Sequence, residues 1–147
     1  MLGLMRALKV IVLVVAVFAA VASTRAYCDR HPTIEQEFNS SAFVFVGKVT
    51  SAKEIALHSQ SITGGTFYAV EVTEALRGRP SKTVQLYSEN SSGRFLMQIG
   101  EHYLIFADYG VFEGILERAL AINSCGNSAR LRKGDKTLET VRRLTKT

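Results

Sequence analysis

Only two cysteines occur in the 147 residues, Cys28 and Cys125, and almost every segment with strand or helix character lies between them. Joined, they close a loop of roughly a hundred residues and force the first and last elements of the fold together. The chain-entropy model values such a closure at about 4 to 5 kcal/mol, with real bridges often giving less. Pairing needs an oxidising compartment, and the residues ahead of Cys28 point to one. Residues 1–9 carry Arg6 and Lys9 and no acidic residue, and residues 10–22 are thirteen consecutive apolar residues. That is the form of a signal peptide, and it falls short of the roughly 20 apolar residues a spanning helix needs. We assign residues 1–26 to the leader, with cleavage after Ala26 preferred and cleavage after Ala22 or Ser23 left open. Tyr27, directly before Cys28, is too bulky for a lipid-attachment signal. The chain therefore reads as secreted, extracellular or periplasmic, with membrane contact only through the transient leader. The rival reading of the cysteines is a catalytic thiol, because Cys28-Asp29-Arg30-His31 puts a base three residues from the sulfur. No known nucleophile pattern completes it around Cys125 or His31.

The leader also distorts the charge balance. The formal net charge is +5, and without Arg6, Lys9 and Arg25 it becomes +2. Residues 130–147 hold seven basic and two acidic side chains, whereas residues 27–129 hold eight basic and eleven acidic. The basic character thus belongs to the leader and the C-terminal stretch. A solvated basic helix end is the plain reading of residues 132–147, and attraction to an anionic surface is the functional one.

Between the cysteines the hydrophobic period is mostly two. Residues 31–38 form the exception: Thr33 can cap a short helix, Gln36 sits where a capping box places it, and Glu35 and Glu37 crowd its first turn. Strands are expected over residues 42–50, 66–73 and 83–88, with Gly47 marking a bulge or sharp coil in the first. Residues 59–65 read as a polar loop closed by Gly64-Gly65. Residues 95–99 read as a short strand or an irregular segment, 103–107 as a buried strand and 116–122 as the fifth strand. Gly134 or Asp135 opens a last helix with Leu138, Val141 and Leu144 on one face. About 120 mature residues make one domain with one core. The expected fold is mainly β: a five-stranded small barrel with a short helix before it and another after it.

Several segments carry a resemblance. Cys28 followed by a short helix and Phe43-Val44-Phe45-Val46-Gly47-Lys48-Val49 resembles the opening of the netrin-like module. That module is shared by tissue inhibitors of metalloproteinases, complement C-terminal domains and small exported bacterial proteins, and the resemblance is closest to the last. Tyr68-Ala69-Val70-Glu71-Val72 with Leu76-Arg77-Gly78, Gly100-Glu101-His102-Tyr103-Leu104-Ile105-Phe106-Ala107, and Ser124-Cys125-Gly126-Asn127-Ser128 continue the likeness. It implies an OB-like β-barrel over residues 27–131, followed by a basic C-terminal helix or tail over residues 132–147. It also implies an exported, non-enzymatic module that binds a protein partner, such as an extracellular or periplasmic protease. In the animal inhibitors a Cys-x-Cys start, with nothing before the first cysteine, grips the protease zinc. Here Arg30 stands in place of the second cysteine and Tyr27 precedes Cys28. The candidate partner-binding residues are Tyr27, Cys28, Asp29 and Arg30. A metalloprotease inhibitor acting through this region is the alternative, and a structural envelope or secreted protein with a basic docking tail is the third reading.

No cofactor is expected. His31, His58 and His102 are far apart in sequence, and no paired cysteines or histidines stand at metal-ligand spacing. Glu71 and Glu74 read as solvated charges at a strand end. Phe43, Phe45, Phe67 and Tyr68 could stack bases, yet their strand alternation points to core packing, and the acidic balance of the domain argues against nucleic acid. Asn39-Ser40-Ser41 and Asn90-Ser91-Ser92 match glycosylation acceptors.

Overall fold

The computed structural model describes residues 28, 30–56, 63–91, 93–112 and 118–146. The leader, Tyr27, Asp29, His58, Ser92 and the start expected for the fifth strand lie outside the described residues.

Helix α1 runs over Ile34–Ser40. Thr33 Oγ1 accepts from the Gln36 amide at 3.2 Å, and Gln36 Oε1 accepts from the Thr33 amide at 3.0 Å, so the expected capping box is present. Ser41 ends the helix by returning both its amide and its hydroxyl to the Glu37 carbonyl, at 2.9 and 2.7 Å.

Strand β1 (Phe43–Ala56) and strand β2 (Thr63–Arg77) form a long antiparallel pair. Strand β3 (Thr83–Glu89) adds to β2, and the first half of β1 also pairs with β4 (His102–Gly110). Strand β5 (Ala119–Ile122) runs antiparallel to β4 and touches β3 in parallel at Tyr87 and Ala121. The five strands therefore close a ring in the order β1-β2-β3-β5-β4. Closure demands strong coiling, which β1 gains from several register shifts, one of them between Val46 and Gly47. A Cβ on Gly47 would overlap Val70 Cγ1 and press on the Glu71 carbonyl oxygen, so glycine lets the strands approach closely there.

Two elements depart from expectation, the Gly64-Gly65 pair and a sixth strand, and residues 95–99 take the irregular of their two expected forms. Gly64 and Gly65 belong to β2 rather than to a loop. The Tyr87 side chain crosses them: its hydroxyl donates to the Gly64 carbonyl at 2.5 Å, and a Cβ on Gly65 would lie 2.6 Å from its ring. Burial, with the Glu89 carboxylate nearby, pushes the Tyr87 phenol above its ordinary pKa of 10.0. Residues 95–99 alternate in burial without joining a ladder, because side chains take their amides: Phe95 donates to Ser88 Oγ and Gln98 to Tyr103 Oη. A two-residue strand β6 (Ala129–Arg130) then extends the sheet along β4.

Two apolar clusters explain why residues 103–107 are apolar without alternation. Tyr103, Ile105 and Ala107 face the ring interior with Phe45, Val70 and Leu86. Leu104 and Phe106 face outward, where Phe38 of α1 and Val141 of the last helix, α2 (Lys136–Leu144), cover them. Asp135 caps α2 by accepting from the amides of Thr137 and Leu138, and Val141 is fully buried.

Candidate functional site

The segment leading into α1 is fixed to the turn after β5 from three directions. Cys28 and Cys125 form a disulfide with Cα atoms 5.7 Å apart, spanning 97 residues of sequence. His31 Nδ1 lies 3.1 Å from the Cys125 carbonyl oxygen. Asn127 Nδ2 donates to the Pro32 carbonyl at 3.0 Å. The turn has its own brace, since the Cys125 amide donates to Asn123 Oδ1 and the Gly126 amide to the Asn123 carbonyl, both at 3.0 Å.

Glu37 organises the contact from below. Its Oε2 accepts from the Asn127 amide at 2.6 Å and from Asn127 Nδ2 at 2.7 Å. Its Oε1 is buried without a partner among the described residues. Gly126 lies directly on this carboxylate, and a Cβ there would overlap it. An unpaired buried acceptor costs about 1–3 kcal/mol, which the two Asn127 donors offset in part. The net gain is positional: the carboxylate dictates where the disulfide-bearing turn sits on α1.

The residues expected to face a partner divide accordingly. Cys28 is half-buried and held, Arg30 is exposed, and Tyr27 and Asp29 lie outside the described residues. Both sulfurs are committed to the disulfide, so neither cysteine supplies a thiolate here. His102 sits exposed on β4, and among the described residues no three metal-ligating side chains converge. Phe45 and Tyr68 are core residues, whereas Phe43 and Phe67 are only half-buried. Asn39 and Asn90 are both exposed.

Glu74 has a defined partner. Arg142 of α2 grips it with two bonds, Nε to Oε1 at 2.9 Å and Nη2 to Oε2 at 2.7 Å. Those hydrogen bonds hold the Glu74 carboxyl below its ordinary pKa of 4.5, against a smaller opposing effect of burial. The pair docks the basic helix on β2. Among the described residues, no helix is long and apolar enough to cross a membrane.

Glu37 was not legible as an organiser of this site, because acids in a first helical turn are explained by the helix dipole alone. The overlooked signal is its spacing. Three residues after Ile34 and one before Phe38, Glu37 falls on the face that α1 turns to the sheet. The chain matches no protein-family model and no curated protein.

Proposed function

We propose that the protein is an exported, non-enzymatic protein-binding module of the netrin-like type, with its five-stranded ring an OB-like barrel. The ring order, with β3 and β5 parallel, supports the OB-like reading, since OB folds are partly open five-stranded Greek-key barrels. The flanking helices and the bond from the first segment to the turn after β5 are what the resemblance leads one to expect.

The observation that carries the functional reading is the rim at Cys28. Cys28 and residues 30–33 are held by a disulfide, His31 and Asn127, and Arg30 still projects into solvent. A recognition segment pinned in advance loses little conformational entropy when a partner docks. Site-specific photocrosslinking in the native compartment tests this, with the probe at position 30 or, as a control, at position 132. A discrete protein adduct from position 30 alone supports the rim. Equal adducts from both positions, or none from position 30, remove it.

Zinc-directed inhibition of a metalloprotease is the narrower form of the same reading. It requires a mature chain that begins at Cys28, because an acylated nitrogen is a poor zinc ligand. The intact mass of the exported protein distinguishes the two: a first residue of Tyr27 or earlier retires the inhibitor mechanism.

A further inference from the structure

A second surface lies where the ring is least closed. Strand β3 is paired with β2 along its whole length, from Thr83 to Glu89, yet among the described residues it meets β5 only at Tyr87 and Ala121. Toward the N-terminal end of β3 the two strands part, and a groove of about 710 Å³ opens between Thr83–Gln85 on one side and Ala119–Leu120 on the other.

The hydrogen-bond alternation along β3 shows what this groove offers. The Val72 amide donates to the Lys82 carbonyl, and the Asn90 amide to the Gly64 carbonyl, which marks the bonded positions at both ends of the β2–β3 ladder. Counting inward in steps of two, the main-chain groups of Val84, Leu86 and Ser88 point to β2. Those of Thr83, Gln85 and Tyr87 therefore point away from β2, and Tyr87 is the one that meets β5. Thr83 and Gln85 each present an N–H and a C=O to the groove, without a strand partner among the described residues, and both residues are exposed. An unpaired edge of this kind is a template for an added strand.

The groove walls restrict what can be added. Arg79 and Arg118 are its charged residues, and no carboxylate lines it among the described residues. Neither guanidinium joins the ion pairs found there, Glu101 with Arg130 and Glu74 with Arg142. Apolar side chains complete the lining, notably Phe43, Phe67 and Tyr109. These aromatics do not make a base-stacking platform. Tyr109 packs edge-on to Phe43 with centroids 6.0 Å apart and carries Arg118 over its ring at 5.1 Å, while Phe67 leans on Tyr87 at 5.1 Å.

We propose that this groove binds an extended acidic peptide of a partner protein, which pairs with the outer edge of β3 at Thr83 and Gln85 and sets its carboxylates against Arg79 and Arg118. One face of such a strand would carry apolar side chains toward Phe43 and Phe67, since successive side chains alternate. The surface is separate from the Cys28 rim, so each reading stands or falls by itself.

The test uses the full-length disulfide-bonded protein and N-acetylated heptapeptides that alternate valine with glutamate or with lysine. Amide hydrogen exchange of the protein is followed with and without peptide. The expected result is saturable binding of the glutamate peptide with at least tenfold slower exchange at Thr83 and Gln85, and no such protection with the lysine peptide. Changing Arg79→Ala and Arg118→Ala together should weaken binding about tenfold or more; both side chains are exposed, so the fold is kept. A glutamate peptide that binds no tighter than about 1 mM overturns the proposal. So does one that binds equally well after its edge-facing amides are N-methylated. Single-stranded nucleic acid that competes without protecting those two amides would identify a polyanion surface instead.

Discussion

At the scale of single residues, the site is governed by steric and polar detail. Gly126 is a glycine because the Glu37 carboxylate occupies the space where a side chain would begin. Gly126→Ala must push the carboxylate aside or lift the turn, and should destabilise the protein by about 1–3 kcal/mol in urea denaturation, the range for overpacked sites. Glu37→Ala removes the acceptor of two Asn127 donors, and a loss of about 1–3 kcal/mol is expected by the same measurement. The Glu74–Arg142 pair gives a pH signature. Because the folded carboxyl is held below 4.5, its contribution is fully present above that value and fades as pH falls through the folded pKa. The stability gap between wild type and Arg142→Gln should therefore be visible at neutral pH, shrink below about pH 4.5, and diminish with added salt, since the pair is half-exposed. Acid unfolding of both proteins in parallel checks the sign.

At the scale of elements, α2 is a structural member with a basic outer face. Val141 is fully buried against Phe38, Leu76 and Phe106, so Val141→Ala should cost about 2 kcal/mol, read by thermal or urea unfolding. Arg143→Ala, on the exposed face, should leave stability nearly unchanged. The three-residue steps of Leu138, Val141 and Leu144 made this packing face readable from sequence, as did the caps Thr33 and Asp135 and the unbroken apolar run of β4. These features are local: a cap or a period is written within a few residues. The Gly64-Gly65 pair misled because its reason is Tyr87, more than twenty residues away. Strand β6 gave no signal, since two residues carry no period and their pairing is chosen by β4. The groove beside β3 was equally silent, as it depends on the single pairing of Tyr87 with Ala121 among the described residues.

At the scale of the whole molecule, two clusters share one sheet, the ring interior and the outer layer under the helices. The disulfide ties the outer layer to the end of the ring. Replacing both cysteines by alanine should lower stability by about 2–5 kcal/mol, the usual range for a native bridge in a small domain. The same change should also speed hydrogen exchange of the Asn127 amide, which the turn after β5 presents to Glu37 Oε2. If stability fell while the Asn127 amide kept its protection, Glu37 and Asn127 would be sufficient to hold the turn on α1.

The 97 residues between the bonded cysteines also set a clock. At roughly 5–20 residues per second of synthesis, Cys28 emerges about 5–20 s before the sulfur it must join. Throughout that interval it is a lone thiol on a growing chain, open to any disulfide-exchange catalyst and to a neighbouring copy. Every chain cut short before Cys125 keeps that thiol permanently, so truncation products should carry a reactive handle that the finished protein lacks.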